Sequence, residues 1–194
     1  MKSNRYGQSE VLDTNQLDLV IEALPVGPHR VIAQICRRTG CRIGEAIQLQ
    51  WHCISNSTVL FPAKITKGKL KSRSIPKTSE LDLVLKKWRI KWRDLKGREP
   101  EPSDWLFPGR GDSGKSKPLS TQAFDLQLRA ATYKAKIHGF SSHGFRRSAL
   151  SSASDAGVPL RHLMELSGHQ SLDTLERYLR VNEKQKVEAA KAFA

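Results

Sequence analysis

The sequence predicts a mainly α-helical fold carrying one small antiparallel β-hairpin or sheet. Three observations lead there. Apolar residues recur at three- and four-residue spacings through most of the 194-residue chain, the mark of amphipathic helices. Capping residues, glycines and prolines stand where those stretches begin and end. The apolar period changes to that of a strand around residues 58–76, a segment too short to form a core of its own.

Taken in order, residues 1–12 read as a loose lead-in or linker. Asp13 or Thr14 caps a first helix that turns Leu17, Val20, Ile21 and Leu24 to one side, and Pro25 and Gly27-Pro28 end it. A second helix carries Val31, Ile32, Ile35 and Cys36 inward and stops at Gly40, a natural C-terminal glycine. A short helix follows over 42–49. Residues 58–61 read as a strand and 72–76 as its partner. Between them runs a basic stretch from Lys64 to Lys71 with Gly68 at the turn, a flap on a helical body. Ser79 caps a long helix with Leu81, Val84 or Leu85, Trp88, Trp92 and Leu95 along one face; its tryptophans belong to the core rather than to a stacking platform. Residues 97–114, around Trp105-Leu106-Phe107, form a loop and the candidate internal linker. Helices follow at about 120–136, 142–156, 159–167 and 171–180, with Gly157 ending one and Pro159 starting the next. The domain therefore spans 13–181, between the lead-in and a weakly amphipathic tail helix over 182–194.

Composition narrows the partners. Lys and Arg outnumber Asp and Glu by 33 to 19, a formal charge of +14, which favours polyanions and nucleic acid first. Three cysteines, Cys36, Cys41 and Cys53, without CxxC spacing argue against a disulfide framework and a structural zinc site, and fit a reducing compartment. No apolar run reaches membrane-spanning length. The expectation is a cytoplasmic, nucleoid-associated protein.

The chemistry lies in three separated segments: Thr39-Gly40-Cys41-Arg42-Ile43-Gly44-Glu45, His143-Gly144-Phe145-Arg146-Arg147, and Leu166-Ser167-Gly168-His169, with Tyr178 nine residues beyond the last. Cutting a phosphodiester covalently needs a nucleophile, positive donors for the charge that develops on phosphorus, and an acid for the leaving oxygen. Tyr178 can be the nucleophile. Arg42 and Arg146 each present a planar fork of donors to phosphate oxygens. His143 and Arg146, three apart, share one helical face, and His169 stands just past a helix end. A hairpin lysine can protonate the leaving oxygen. Each piece alone has an ordinary structural reading, from core tyrosine to solvated basic face; their joint order and spacing do not.

These segments resemble the motifs of the tyrosine recombinases, the phage-integrase family, and the resemblance to that family's catalytic domain covers residues 12–181. The first segment is similar to the first-arginine motif, the second to HxLRR with Phe for Leu, and the third to the LGH motif. The resemblance implies that Arg42, His143, Arg146, His169 and a hairpin lysine surround the scissile phosphate, with Tyr178 as nucleophile and Glu45 orienting Arg42. The lysine is Lys67, with Lys69 as the alternative because the hairpin runs one residue longer than usual. Lys64, Lys69, Lys71, Arg73 and Arg147 are expected DNA contacts, Arg147 being either phosphate-contacting or structural. His29, His52, His138 and His162 match no motif and read as structural or solvent-facing. The implied activity is site-specific strand exchange on double-stranded DNA through a 3′-phosphotyrosyl intermediate, without metal or nucleotide cofactor. The implied assembly is a homotetramer on two DNA sites, with the C-terminal tail docking on a neighbouring protomer. Family members commonly carry a core-binding domain ahead of the catalytic one, so the chain reads either as an excised catalytic fragment or as a short stand-alone member like the fimbrial phase-variation recombinases. Two alternatives stand beside this: a type IB topoisomerase-like nicking-closing enzyme, and a DNA-binding regulator without turnover. The HxxR arrangement and the size favour the recombinase over the first, and the intact set of Tyr178, Arg42 and Arg146 over the second.

Overall fold

Eight α-helices and one two-stranded antiparallel sheet follow one another in the computed structural model, which describes residues 8–66, 68, 71–109, 117–179, 186, 187, 190 and 191. The helices are α1 (Thr14–Ala23), α2 (Pro28–Thr39), α3 (Ile43–Ile47), α4 (Ser79–Lys96), α5 (Thr121–Lys134), α6 (Ser142–Asp155), α7 (Leu160–Ser167) and α8 (Leu172–Glu176). The strands β1 (Thr58–Phe61) and β2 (Arg73–Pro76) pair between α3 and α4, with Val59 opposite Ile75 and Phe61 opposite Arg73. The sheet is thus the two-stranded form of the expected pair.

Helix starts follow the local chemistry. Asp13 caps α1 in a reciprocal capping box with Gln16, and Pro28 opens α2, where its missing N–H costs nothing. Thr78, not Ser79, caps α4 by accepting from the Leu81 amide; Ser79 is the first helical residue. Along α4, Leu81, Leu85, Trp88 and Trp92 are buried as the spacing requires, but Leu95 is 66% exposed. It is the last residue but one of α4, where the helix has run past the body beneath it. The loop after α4 is no linker at its centre. Leu106 and Phe107 are fully buried, and the indoles of Trp88 and Trp92 donate to the carbonyls of Leu106 and Trp105 at 2.9 and 3.1 Å. Residues 110–116 of the loop lie outside the described residues.

The lead-in is also bound rather than loose from Ser9 onward. Ser9 and Leu12 are each 7% exposed. The Ser9 hydroxyl accepts from the Ser141 amide, the Glu10 amide donates to Gly139, and the Leu12 amide donates to the Ser148 hydroxyl, all near 3 Å. The strap crosses the start of α6 because Gly144 leaves room for it. A Cβ there would lie 2.3 Å from the Phe140 ring and 2.6 Å from the Ser9 hydroxyl.

Two apolar clusters hold these elements. The large one joins α1–α5, β1, β2 and the loop, through residues such as Ile32, Ile35, Phe61, Trp92, Phe107, Phe124 and Phe145. The small one is Leu150, Leu163 and Leu175, with Met164, Tyr178 and Leu179 partly buried against it. Helix α6 contributes Phe145 to the first and Leu150 to the second and packs on both α2 and α7. In the tail, residues 186, 187, 190 and 191 are helical and exposed; the rest of 182–194 lies outside the described residues. No helix among the described residues is long and apolar enough to cross a membrane.

Candidate active site

The site forms where the C-terminal end of α2, the start of α3, β2, α6 and the α7–α8 turn meet. Helix α2 ends at Gly40 in the left-handed conformation, φ 61°. The chain then reverses into α3 with Arg42 as its N-cap, and Glu45 in the first turn reaches back. Its carboxylate accepts from the Arg42 amide at 2.9 Å and from the Arg42 guanidinium at 3.1 Å. Arg73, carried in by β2, binds the same carboxylate through Nη2 and, at 3.4 Å, through Nη1. Glu45 is 2% exposed. Burial pushes its pKa up, but the hydrogen bond and charge of Arg73, together with Arg42, outweigh burial and hold it below its ordinary value. One buried carboxylate thus braces two arginines.

Arg146 is 1% exposed on α6. Its Nη1 donates to the Gly40 carbonyl at 2.8 Å and its Nη2 to the Ser167 carbonyl at 2.9 Å, so the guanidinium ties the end of α2 to the end of α7. Nη2 also lies 3.1 Å from His169 Nε2. Burial, then the neighbouring charge of Arg42, lowers the Arg146 pKa to about 10, leaving it cationic at neutral pH. The Nε–H groups of Arg146 and Arg73 are buried without a hydrogen-bond partner among the described residues. A buried donor left unpaired is costly.

Helix α7 ends at Gly168, φ 71°, a conformation only glycine adopts cheaply. A Cβ there would also sit 3.3 Å from Arg73 Nη1, so the same glycine admits the arginine. The turn presents His169, whose ring lies 4.8 Å from that of Tyr178. The Tyr178 ring in turn lies 5.3 Å from the Arg146 guanidinium carbon. Burial, and then Arg146, Arg42 and Arg73, lower the His169 pKa to about 4; the ring is neutral at pH 7. Beside these groups opens a cleft of about 1230 Å³ between Arg42, Lys71 and Arg73 on one side and Arg161, His162 and His169 on the other.

The structure therefore brings together Arg42, Glu45, Arg146, His169 and Tyr178. His143 lies in the first turn of α6, exposed, one turn before Arg146. Lys64 is exposed on the short 3₁₀ turn after β1, and Lys71 lines the cleft. Lys67 and Lys69 lie outside the described residues. Two of the expected DNA contacts, Arg147 and Arg73, are engaged by protein partners. Arg147 is 7% exposed and donates to the Ser9 carbonyl; successive helical residues point about 100° apart, so with Arg146 in the site Arg147 faces the strap. Arg73 is drawn under the site by Glu45 and by the Phe61 ring, 4.7 Å from its guanidinium carbon. Strand alternation was a signal for this, because Arg73 shares a face with buried Ile75. Ser167 stood inside the Leu166–His169 segment but was given no role; its carbonyl accepts from Arg146. Of the other histidines, His29 stacks near Phe124 and His52 meets the Pro102 carbonyl, both away from the cleft. No group of three or more His, Cys, Asp or Glu side chains gathers as metal ligands among the described residues.

Comparison with known proteins agrees with this architecture. The model of the phage integrase family matches residues 10–185, and the chain belongs to that family. A putative integrase/recombinase, y4qK, of Sinorhizobium fredii is 26% identical over 79% of this chain and 46% of its own length. The tyrosine recombinase XerD of Rhizobium meliloti is 28% identical over 91% of this chain and 54% of its own. The chain thus spans about half the length of these relatives. Among solved structures, XerA recombinase superposes with a TM-score of 0.73 at 20% identity, over 98% of this chain and 66% of that one. The catalytic domain of bacteriophage HP1 integrase gives 0.63 at 21%, over 88% and 87%. The fold is that of these catalytic domains.

Proposed function

We propose that the chain is the catalytic part of a site-specific tyrosine recombinase acting on double-stranded DNA. The observation that carries this reading is the convergence of Tyr178, His169 and the guanidinium of Arg146, with Arg42 held beside them by Glu45. The charge of +14 supports a polyanion. A relative solved on DNA, XerH bound to its difH substrate, superposes with a TM-score of 0.69 over 95% of this chain.

In this mechanism Tyr178 gives up its phenolic proton to solvent and its oxygen attacks the scissile phosphorus. The P–O bond to the 5′ oxygen breaks, and the 3′ phosphate becomes a phosphotyrosine. The leaving oxygen takes its proton from Lys67, with Lys69 as the alternative. Arg42 and Arg146 bind the non-bridging oxygens as charge builds on them, and His143 lies one turn from Arg146 at the same helix start. The phosphotyrosyl bond keeps the energy of the phosphodiester, so a 5′ hydroxyl reverses the step without nucleotide or metal. The assembly that performs exchange is a homotetramer joined through the C-terminal tail. Deleting residues 183–194 should then weaken assembly on DNA while leaving the monomer's melting temperature in place; a loss of monomer stability would count against docking in trans.

The decisive experiment traps the adduct on a nicked suicide substrate. Wild type should form it and Tyr178→Phe should not, with folding and DNA binding retained. An adduct formed by the Phe variant would overturn the assignment. Arg42→Ala and Arg146→Ala should each slow adduct formation by about 10²–10³-fold, and Arg→Lys should restore little, because a point charge lacks the fork.

A further inference from the structure

We infer that Ser151 is a positioning residue for the nucleophile: its hydroxyl holds the backbone of Tyr178 on α6, the helix that carries Arg146. Ser151 is 1% exposed, and its hydroxyl donates to the Tyr178 carbonyl at 3.1 Å, across 27 residues. A serine inside a helix commonly gives its proton to a carbonyl one turn back. Ser167 does so toward Leu163, whereas Ser151 directs its one proton to Tyr178. The Tyr178 turn has few such ties. It follows the five-residue α8, and its own backbone bonds are local: the Tyr178 amide donates to Leu175 at 2.8 Å and the Leu179 amide to Glu176 at 3.0 Å. Bonds of that kind set the shape of the turn and not its place. Leu175, buried with Leu150 and Leu163, anchors the turn through apolar contact, which is non-directional. Among the described residues the Tyr178 carbonyl accepts from Ser151 alone. A hydrogen bond has a preferred distance and angle, so this one orients the backbone from which the phenol projects.

The identity of the anchor matters. Ser151 and Arg146 stand on one helix, separated by about 7.5 Å along its axis at about 1.5 Å per residue. The Arg146 guanidinium carbon meets the Tyr178 ring at 5.3 Å. Tyr178 is therefore held at its backbone and at its ring by the same element, and α6 sets the spacing between the nucleophile and Arg146. The phenolic oxygen lies at the far end of the ring, so a small swing of the backbone moves it further than it moves the carbonyl. Loss of the Ser151 hydroxyl leaves the ring contact and the apolar anchor in place but frees that swing.

The kinetic half of this inference rests on the recombinase reading, but the bond does not. Tyr178-Leu179 is the one Tyr–Leu pair in the chain, so protein labelled with carbonyl-¹³C tyrosine and ¹⁵N leucine gives a single carbonyl–amide correlation, that of Tyr178. In Ser151→Ala its carbonyl shift should move upfield, as a carbonyl does when a donor is withdrawn; an unmoved shift overturns the inference. Ser151→Thr and Ser151→Val compare two side chains of nearly the same shape that differ by the hydroxyl, so crowding in this buried place is common to both. The Thr variant should stay near the wild-type shift and the Val variant should move with Ala; coincident shifts for Thr and Val count against the bond. At saturating nicked DNA, adduct formation by Ser151→Val should be about three- to tenfold slower than by Ser151→Thr, the rate equivalent of one neutral hydrogen bond, at equal DNA affinity. Equal rates in the two variants would confine Ser151 to stability and overturn the positioning role, as would a difference that lies wholly in DNA binding. If wild type forms no adduct at all, the recombinase reading fails while the carbonyl shift still decides the bond.

Discussion

Glu45 is the residue on which the site's positive side depends. Its single carboxylate accepts from the Arg42 amide and from the side chains of Arg42 and Arg73, and its place in the first turn of α3 follows from the capping box. Glu45→Gln keeps the shape but leaves two cations without a counter-charge. It should cost about 3 kcal/mol of unfolding free energy, at the lower end for breaking a buried pair, measured by urea denaturation, and should weaken cleavage along with it. A loss confined to activity would mean that the two arginines are held by other contacts. His169 gives the pH dependence. The unfolded chain takes up a proton on this ring near its ordinary value of about 6.5, but the folded chain only near about 4. Between those values the unfolded state binds more protons, so stability falls as pH is lowered through the window. The melting temperature of wild type should drop from pH 6.5 to pH 4 more steeply than that of His169→Gln; parallel curves would exclude His169 as the source. Glu45 acts lower. Its depressed carboxylate contributes stability above the ordinary carboxylate range, and that contribution is lost as acid titrates the folded group.

At the scale of elements, α6 places the chemistry and the strap places α6. Arg146 looks into the site while Arg147 and Ser148, the next two residues, bind the backbone of Ser9 and Leu12. This contact depends on Gly144. Adding a methyl there drives a Cβ into the Phe140 ring and the Ser9 hydroxyl, and the Phe140 ring already packs edge-on against Phe145 with centroids 4.9 Å apart. Gly144→Ala should therefore destabilise by about 1–3 kcal/mol, the usual cost of overpacking, even though alanine is the better helix former. A stabilised Gly144→Ala in thermal melts would show that the strap yields freely. The helices themselves were readable from sequence because their caps and apolar faces are local: Asp13 at α1, Gly40 at α2, Leu81, Leu85, Trp88 and Trp92 on α4. The strap was not, because its partners lie 136 and 138 residues away and nothing in Ser9 or Leu12 announces them. Leu95 misled for the converse reason: its spacing fits the helix, but the body it would cover ends before it.

For the whole molecule, the site was legible to the extent that motifs bundle residues into short segments. Arg42 with Glu45, His143 with Arg146, and His169 with Tyr178 were each visible as a spacing. What was not visible is how the segments interlock: Arg73 reaching Glu45 across 28 residues, and Arg146 gripping the carbonyls of Gly40 and Ser167 across 106 and 21. Those bonds bridge two unequal bodies. The large apolar cluster carries Arg42, Glu45 and Arg73 on its edge, while Tyr178 rests on the small cluster of Leu150, Leu163 and Leu175. A cluster of three buried leucines offers far less area than the main core, and stabilisation scales with that area. The α7–α8 end should thus open by local unfolding well before the rest. Amide hydrogen exchange at pH 7 should show α8 and the Tyr178 turn exchanging at a much lower free energy than α2, whose amides report global unfolding. Leu175→Ala should sharpen the contrast. Deleting a fully buried leucine costs about 2–5 kcal/mol, and here that cost falls on the small cluster, so exchange in α7 and α8 should accelerate while α2 changes little. If α2 and α8 lose protection together in this variant, the two clusters unfold as one unit, and the nucleophile is carried as rigidly as the arginines that face it.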